Sequence, residues 1–432
     1  MSIRRKLLLA VPLLVLLVVA GCKVNSINYF PPHPASVRVI NLMPDAPSID
    51  VQVGGSPAFT GVTFQAATGY QSYNNATTSF SVNLTGSTQP LISFSYPLAG
   101  EQPYTLVIFG TTTNPAGALL SEVPSAPTNG NIQLSLFNAA INNSGIDVYV
   151  TTPGTDITTV NPNFAGVAYN GATLNLAFAP GTYQIQVTTT GTKTVIYDSG
   201  GSALTPNIGL TFVVYSKGSG TLVNAAVLQS QGPTTLLNTI FARIKAVNAA
   251  PSPGPVNQLL GTLTVNPNIN FASASGYYQG PQGATTVGYE ASSTPGATIA
   301  SVPATLGAAT DVSTFITGPS GGLQAYVLND VNLPPFGGEV RLRFVNASWN
   351  SNPVNISVNG TQVATALAFP TASAYVPVIA ATTYTITFTD AVTGAVVLTS
   401  TPDNTVLVTG FTSTIYLIGP QGAVGALITQ DN

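Results

Sequence analysis

Apolar and polar residues alternate through Val37-Arg38-Val39, and again through Ile49-Asp50-Val51-Gln52-Val53. A period of two marks strands with one buried face, and here it predicts two of them. Pro44-Asp45-Ala46-Pro47 lies between and carries the residues of a turn. The same strand–turn–strand pattern returns at 134–150, 243–260 and 341–358. Aligned on Asn41, Asn138, Asn248 and Asn346, every copy places an Asp or Asn nine residues later: Asp50, Asp147, Asn257 and Asn355. Intervals of 97, 110 and 98 residues make the chain a tandem array of four domain-sized units. In the first strand of each, Val37/Val39, Leu134/Leu136, Ile244/Ala246 and Leu342/Phe344 form the inward set. Arg38, Ser135, Lys245 and Arg343 alternate with them on the other face. Pro253, Pro255 and Gln258 interrupt the third copy, whose second strand is expected to be short or displaced.

Each unit continues through a Gly/aromatic segment and further strands, then closes on a β-branched hairpin with Gly or Pro at its turn. About seven short strands per hundred residues, with no amphipathic helix of four turns, point to an all-β chain. The expected architecture is four tandem Ig-like antiparallel β-sandwich domains after a signal peptide, spanning 36–127, 131–232, 238–335 and 339–432. Joints rich in Pro and Gly fall at 121–131, 229–235 and 332–339. They are short enough for neighbours to touch. Stacked end to end, four such sandwiches would reach roughly 100–150 Å.

The amino terminus adds an address. Arg4, Arg5 and Lys6 precede the apolar run of residues 7–20, too short for a confident bilayer span and suited to a signal core. The run ends Val19-Ala20-Gly21-Cys22, which resembles the bacterial lipobox, and Cys22 is the only cysteine of the chain. That resemblance implies a signal peptide over 1–21 and lipidation of Cys22, with acyl chains enough for stable anchoring. Residues 22–35 then read as a Pro-rich tether. Lys23 after the cysteine leans toward the outer membrane or cell surface. The expected setting is the cell envelope, as a membrane-anchored lipoprotein.

Composition sharpens the picture in two places. Only 6% of residues are charged against 44% hydrophobic, so solubility rests on Ser, Thr, Asn and Gln, as suits a secreted chain. The formal charge of −3 comes with no basic stripe, which removes electrostatic support for nucleic acid as a partner.

The opening motif resembles the bacterial domain of unknown function 4397, a secreted β-sandwich module with a P-D-A-P turn and a hydrophobic-Asp-Val second strand. Unit 1 carries it outright in Pro44, Asp45, Ala46, Pro47, Ile49, Asp50 and Val51. Unit 2 keeps Ile146-Asp147-Val148, while units 3 and 4 have Asn at the Asp position. The resemblance implies fold and address, and no activity.

Candidate chemistry is thin. Asp45 and Asp50 could share a calcium ion or cap turns through backbone N–H groups. Zinc has no support, since His33 is the only histidine and lies in the tether. Gly318-Pro319-Ser320-Gly321-Gly322 fits the pattern of a serine-hydrolase elbow, but unit 4 holds Gly419-Pro420-Gln421-Gly422 at the same place and no domain contains a base histidine. The fourteen acids are scattered about three per unit, with no pair common to the copies. No catalytic residue and no cofactor is assigned. Trp349, in the first turn of unit 4, could stack on a sugar or lid its own core. The sequence reads as a non-enzymatic envelope lipoprotein acting as a spacer or adhesion module toward an envelope protein or polysaccharide. A carbohydrate-binding surface protein using loop aromatics is the alternative, and an envelope hydrolase comes third.

Overall fold

A computed structural model describes residues 33–123, 127, 130–204, 208–217 and 223–431. Unit 1 contains eight strands: β1 (Ala35–Asn41), β2 (Ser48–Val53), β3 (Ser56–Thr63), β4 (Gln71–Tyr73), β5 (Thr77–Leu84), β6 (Pro90–Pro97), β7 (Pro103–Thr111) and β8 (Asn114–Ser121). They form two four-stranded sheets, ordered β4-β1-β7-β8 and β3-β2-β5-β6. The β1–β2 turn therefore crosses from one sheet to the other and is not a hairpin. Val37, Val39, Ile49, Val51, Phe80, Val82, Leu106 and Ile108 meet between the sheets as the core. The alternation read from the sequence supplies this inner face.

Units 2, 3 and 4 repeat the plan around cores of their own. The expectation of β-sandwiches holds, with one refinement. The sheets are antiparallel except that β1 runs parallel to β7, and the same parallel pair joins Ile132–Ala139 to Ile208–Ser216, Phe241–Asn248 to Asp311–Thr317, and Glu339–Asn346 to Thr412–Ile418. Parallel neighbours need a long connection, which the intervening second sheet provides. The second strand of unit 3, Val256–Leu260, has five residues, as does its counterpart Val354–Val358 in unit 4, and it pairs in the same register, so it is not displaced. Unit 2 gains an extra edge strand, Thr234–Leu237, beyond position 232.

The units are not strung end to end. Ile40, Leu42, Val107 and Phe109, on the outer face of the β1–β7 sheet, are buried against Phe137, Ala139, Val213 and Tyr215 of unit 2. Val247, Ala249 and Phe315 of unit 3 meet Val345, Ala347, Tyr416 and Ile418 of unit 4 in the same way. Units 1 and 2 thus pack sheet against sheet, as do units 3 and 4. The extended reach expected from the sequence is replaced by two back-to-back pairs, because the outer face of the first strand is as apolar at its carboxyl end as the inner one.

Candidate functional site

The repeated Asn is a buried stitch between the two sheets. Asn41 accepts from Met43 N–H at 3.0 Å and donates to Val62 O of β3 at 3.0 Å. Asn138, Asn248 and Asn346 donate likewise to Val167 O, Ile269 O and Leu367 O at 3.0–3.1 Å, and each accepts from the N–H two residues on. All four are fully buried, so the amide satisfies backbone groups that the sheet-crossing turn would otherwise strand.

The acid or amide nine residues later caps a bulge. Asp50 accepts from Gly61 N–H at 2.7 Å, Asp147 from Gly166 at 2.7 Å, Asn257 from Asn268 at 2.9 Å and Asn355 from Ala366 at 2.9 Å. The donors sit at φ of 63°, 60°, 54° and 47°, where the pairing register shifts. The bulge needs one oxygen acceptor, which explains the exchange of Asp for Asn. Burial raises the Asp50 pKa, but the donors Gly61, Thr85 and Gly86 outweigh it and hold the carboxyl below its usual range. Asp45 receives Thr112 N–H at 2.8 Å and the Thr112 hydroxyl at 2.6 Å. Both carboxylates therefore face hydrogen-bond donors, a poor environment for calcium. No cluster of three His, Cys, Asp or Glu side chains that could hold a metal occurs among the described residues. Ser320 lies exposed on a hairpin turn. Val19, Ala20, Gly21 and Cys22 lie outside the described residues.

Charged side chains recur across copies as cation–acid pairs, not as paired carboxylates. Arg38, Lys245 and Arg343 occupy equivalent places in the first strand; Glu122, Asp330 and Asp431 occupy equivalent places after the last hairpin. In the 3–4 pair the bonding is reciprocal. Lys245 reaches Asp431 at 2.7 Å and Gln430 O at 3.1 Å; Arg343 reaches Asp330 at 2.6 Å and Asn329 O at 2.9 Å. These four side chains are at most 3% exposed. Tyr277 and Tyr375 lie under the cations and donate to Asp330 and Asp431. In the 1–2 pair Ser135 and Ser230 replace one cation and one acid. Arg38 there pairs with Glu122 of its own unit at 3.0 Å and takes Gln229 O and Gly232 O from unit 2. Positive and negative charges match in each seam. The residues read as a solvated strand face are buried because a second sheet covers them.

Among the open clefts where units meet, two bring Pro and Phe together on their walls. One, of about 750 Å³, is bounded by Pro44, Pro47 and Phe64 of unit 1 and by Phe336, Tyr375 and Pro377. The turn motif of unit 1 thus faces the joint before unit 4. Arg341 and Glu339 stand at its edge, and burial lowers the Arg341 pKa while Glu339 opposes that shift. The second, of about 430 Å³, lies between the closing hairpin of unit 3 and the first turn of unit 4, with Trp349 and Phe369 on its wall. Trp349 is half-buried and stands apart from the core cluster of unit 4, so it is no lid on that core.

Comparison with known proteins gives a family and little else. No curated protein sequence matches the chain. A streptococcal virulence factor solved for alpha-glucan binding is similar at 8% identity, over 46% of this chain and 97% of that one, with a TM-score of 0.18. The Bacillus anthracis TIE protein follows at 7% identity, 89% and 63% coverage and a TM-score of 0.16. The major pilin subunit BcpA of Bacillus cereus stands at 10% identity, 67% and 99% coverage and 0.14. Scores this low carry no conclusion. The sequence profile described as Domain of unknown function (DUF4397) matches residues 35–149, 242–356 and 342–432. Those matches take in more than half of the chain and both halves of the array, and the chain belongs to the DUF4397 family.

Proposed function

We propose that this chain is a non-enzymatic interaction module of the cell envelope, tethered through lipidated Cys22. The observation that carries the reading is where the fourteen acids go. Asp45, Asp50, Asp147, Asp156, Asp198, Glu290, Asp390 and Asp403 accept hydrogen bonds from turn and side-chain donors. Glu122, Asp311, Asp330 and Asp431 are ion-paired, Glu101 lies against His33 Nδ1 at 2.5 Å, and Glu339 stands beside Arg341. General acid–base work needs a free carboxyl poised in a cleft. The two acids on the cleft of about 750 Å³ are already engaged, Asp45 by the Thr112 N–H and hydroxyl and Glu339 beside Arg341. The clefts that remain, walled by Pro, Phe and Tyr, suit contact.

The test is capture from envelope extract by the lipid-free chain, beside the Phe336→Ser variant, together with a broad hydrolase substrate panel. Retention of a defined polysaccharide or protein, weakened by the variant, is the expected result. Turnover of any substrate, or no capture at all, would overturn the reading. For the tether, Cys22→Ser should abolish lipid labelling and release the protein from membranes; a labelled, membrane-bound serine variant would remove that part.

A further inference from the structure

The cleft at Trp349 has a more specific chemistry than the rest of the surface. Trp349 follows directly on the buried stitch of unit 4: Asn346 accepts from Ser348 N–H at 3.2 Å and bonds Ser351 Oγ at 3.1 Å. Ser351 N–H closes the turn on Ser348 O, and Gln421 N–H from the neighbouring hairpin reaches Trp349 O. The indole is therefore carried on a pinned turn, so little ordering is lost when something stacks on it. Phe369 shares the wall and is itself held edge-on by Tyr326 of unit 3 at 6.0 Å. Gln324 and Asn350, both exposed, bring side-chain amides to the rim, and Pro319 and the hairpin glycines complete it. Among the described residues the lining contains no charged side chain.

Resting on the reading of the chain as an interaction module, we propose that this cleft binds a neutral saccharide. A pyranose has an apolar face of C–H groups and a rim of hydroxyls that both donate and accept. An aromatic wall answers the first, and primary amides, which also donate and accept, answer the second. A charged glycan or peptide would leave water here without meeting a counter-ion, at a cost the site does not offset. The volume of about 430 Å³ lies within the usual range for small-ligand sites. The equivalent turn positions of the other units hold Pro44, Ile141 and Pro251, so the array presents this site once, at the 3–4 seam.

Trp349 is the only tryptophan of the chain, so its emission reports on this cleft alone. The experiment titrates the lipid-free full chain with neutral gluco-, manno- and galacto-oligosaccharides, with a polyuronate as charged control, and follows indole fluorescence. Affinity electrophoresis in the matching polysaccharides supplies a second readout. Expected are a saturable emission change with at least one neutral class and none with the polyuronate. Trp349→Ala should abolish retardation, and Gln324→Ala, on an exposed side chain, should weaken it about tenfold, by roughly 1.4 kcal/mol. Unchanged emission with every neutral saccharide would overturn the proposal, as would retardation that survives Trp349→Ala in a variant with unaltered melting. The proposal alone fails if envelope capture persists under Trp349→Ala while saccharides have no effect. Absence of both would sink the interaction-module reading with it.

Discussion

At the scale of single residues, the chain spends its polar groups on backbone. The stitch at Asn346 is typical, since its Nδ2 reaches a carbonyl 21 residues on in the opposite sheet. Asn346→Ala would strand Leu367 C=O and Ser348 N–H in the interior and should cost on the order of 2–4 kcal/mol, read by urea unfolding of the whole chain. Asn355→Asp should shift stability by less than about 0.5 kcal/mol, because Asp50 and Asp147 do the same capping in units 1 and 2. A large loss there would mean that the amide nitrogen matters and the single-acceptor account is wrong. The pH dependence has two limbs. The hydroxyls of Thr158 and Thr405 lower the pKa of Asp156 and Asp403, and the amides of Asn257 and Asn352 lower that of Glu290 and Asp390. A depressed folded pKa gives stability that is present above the unfolded value and lost as pH falls through the folded one, so melting should decline below about pH 4. Burial raises the pKa of Tyr197, Tyr215, Tyr277, Tyr289 and Tyr416, which gives stability present below the unfolded value and lost as pH rises beyond about 10. Melting temperatures across pH 3–11 check both limbs; a flat profile at either end refutes the corresponding assignment. The spacing of Asn41 and Asp50 was plain in the sequence. Their partners were not, because each lies in a strand whose register only the folded sheet sets.

Among the elements, the first strand of each unit shows where alternation stops being informative. Val37 and Val39 point into the sandwich as the period-two pattern predicts. Arg38, however, is 2% exposed, and Ile40 and Leu42 on its side of the strand are buried against unit 2. A strand covered on both faces by different partners reads as half-polar whenever one partner brings its own charges. Glu122, Asp330 and Asp431 stand five residues past the hairpin pairings Ile108↔Gly117, Ile316↔Ala325 and Leu417↔Ala426, a register invisible without the turns aligned. Removing one side of such a pair leaves buried charge behind. Arg343→Met should therefore destabilise the chain by about 3–5 kcal/mol. Adding Asp330→Asn should recover part of that loss, since the amide still accepts from Tyr277 and Ser313, which donate to the carboxylate now. Equilibrium unfolding of the two variants decides the matter. If the double variant is less stable than the single one, charge balance is not what the seam maintains.

For the whole molecule, the repeat of about 100 residues and the structural unit differ. The sequence marks four sandwiches, and the first looks safest to isolate because its motif is complete. The seams argue otherwise. Unit 1 alone would expose Ile40, Leu42, Val107 and Phe109 together, and Phe109 would lose its edge-on contact with Phe137 at 5.3 Å. It would also leave Arg38 without the carbonyls of Gln229 and Gly232. An exposed apolar sheet face of this kind pairs with another copy or aggregates. We therefore expect fragments 33–237 and 238–431, each roughly 20 kDa, to be monomeric and to melt cooperatively. Fragment 33–123 should instead dimerise or precipitate. Phe109→Asp in fragment 33–237 should convert one cooperative transition into two or abolish folding, because a carboxylate would be buried without a partner. Light scattering after size exclusion, with thermal unfolding of the same samples, reads all three outcomes. A soluble, monomeric 33–123 with the melting temperature of 33–237 would show that the seam contributes nothing to stability and that the sandwich, not the pair, is the unit that folds.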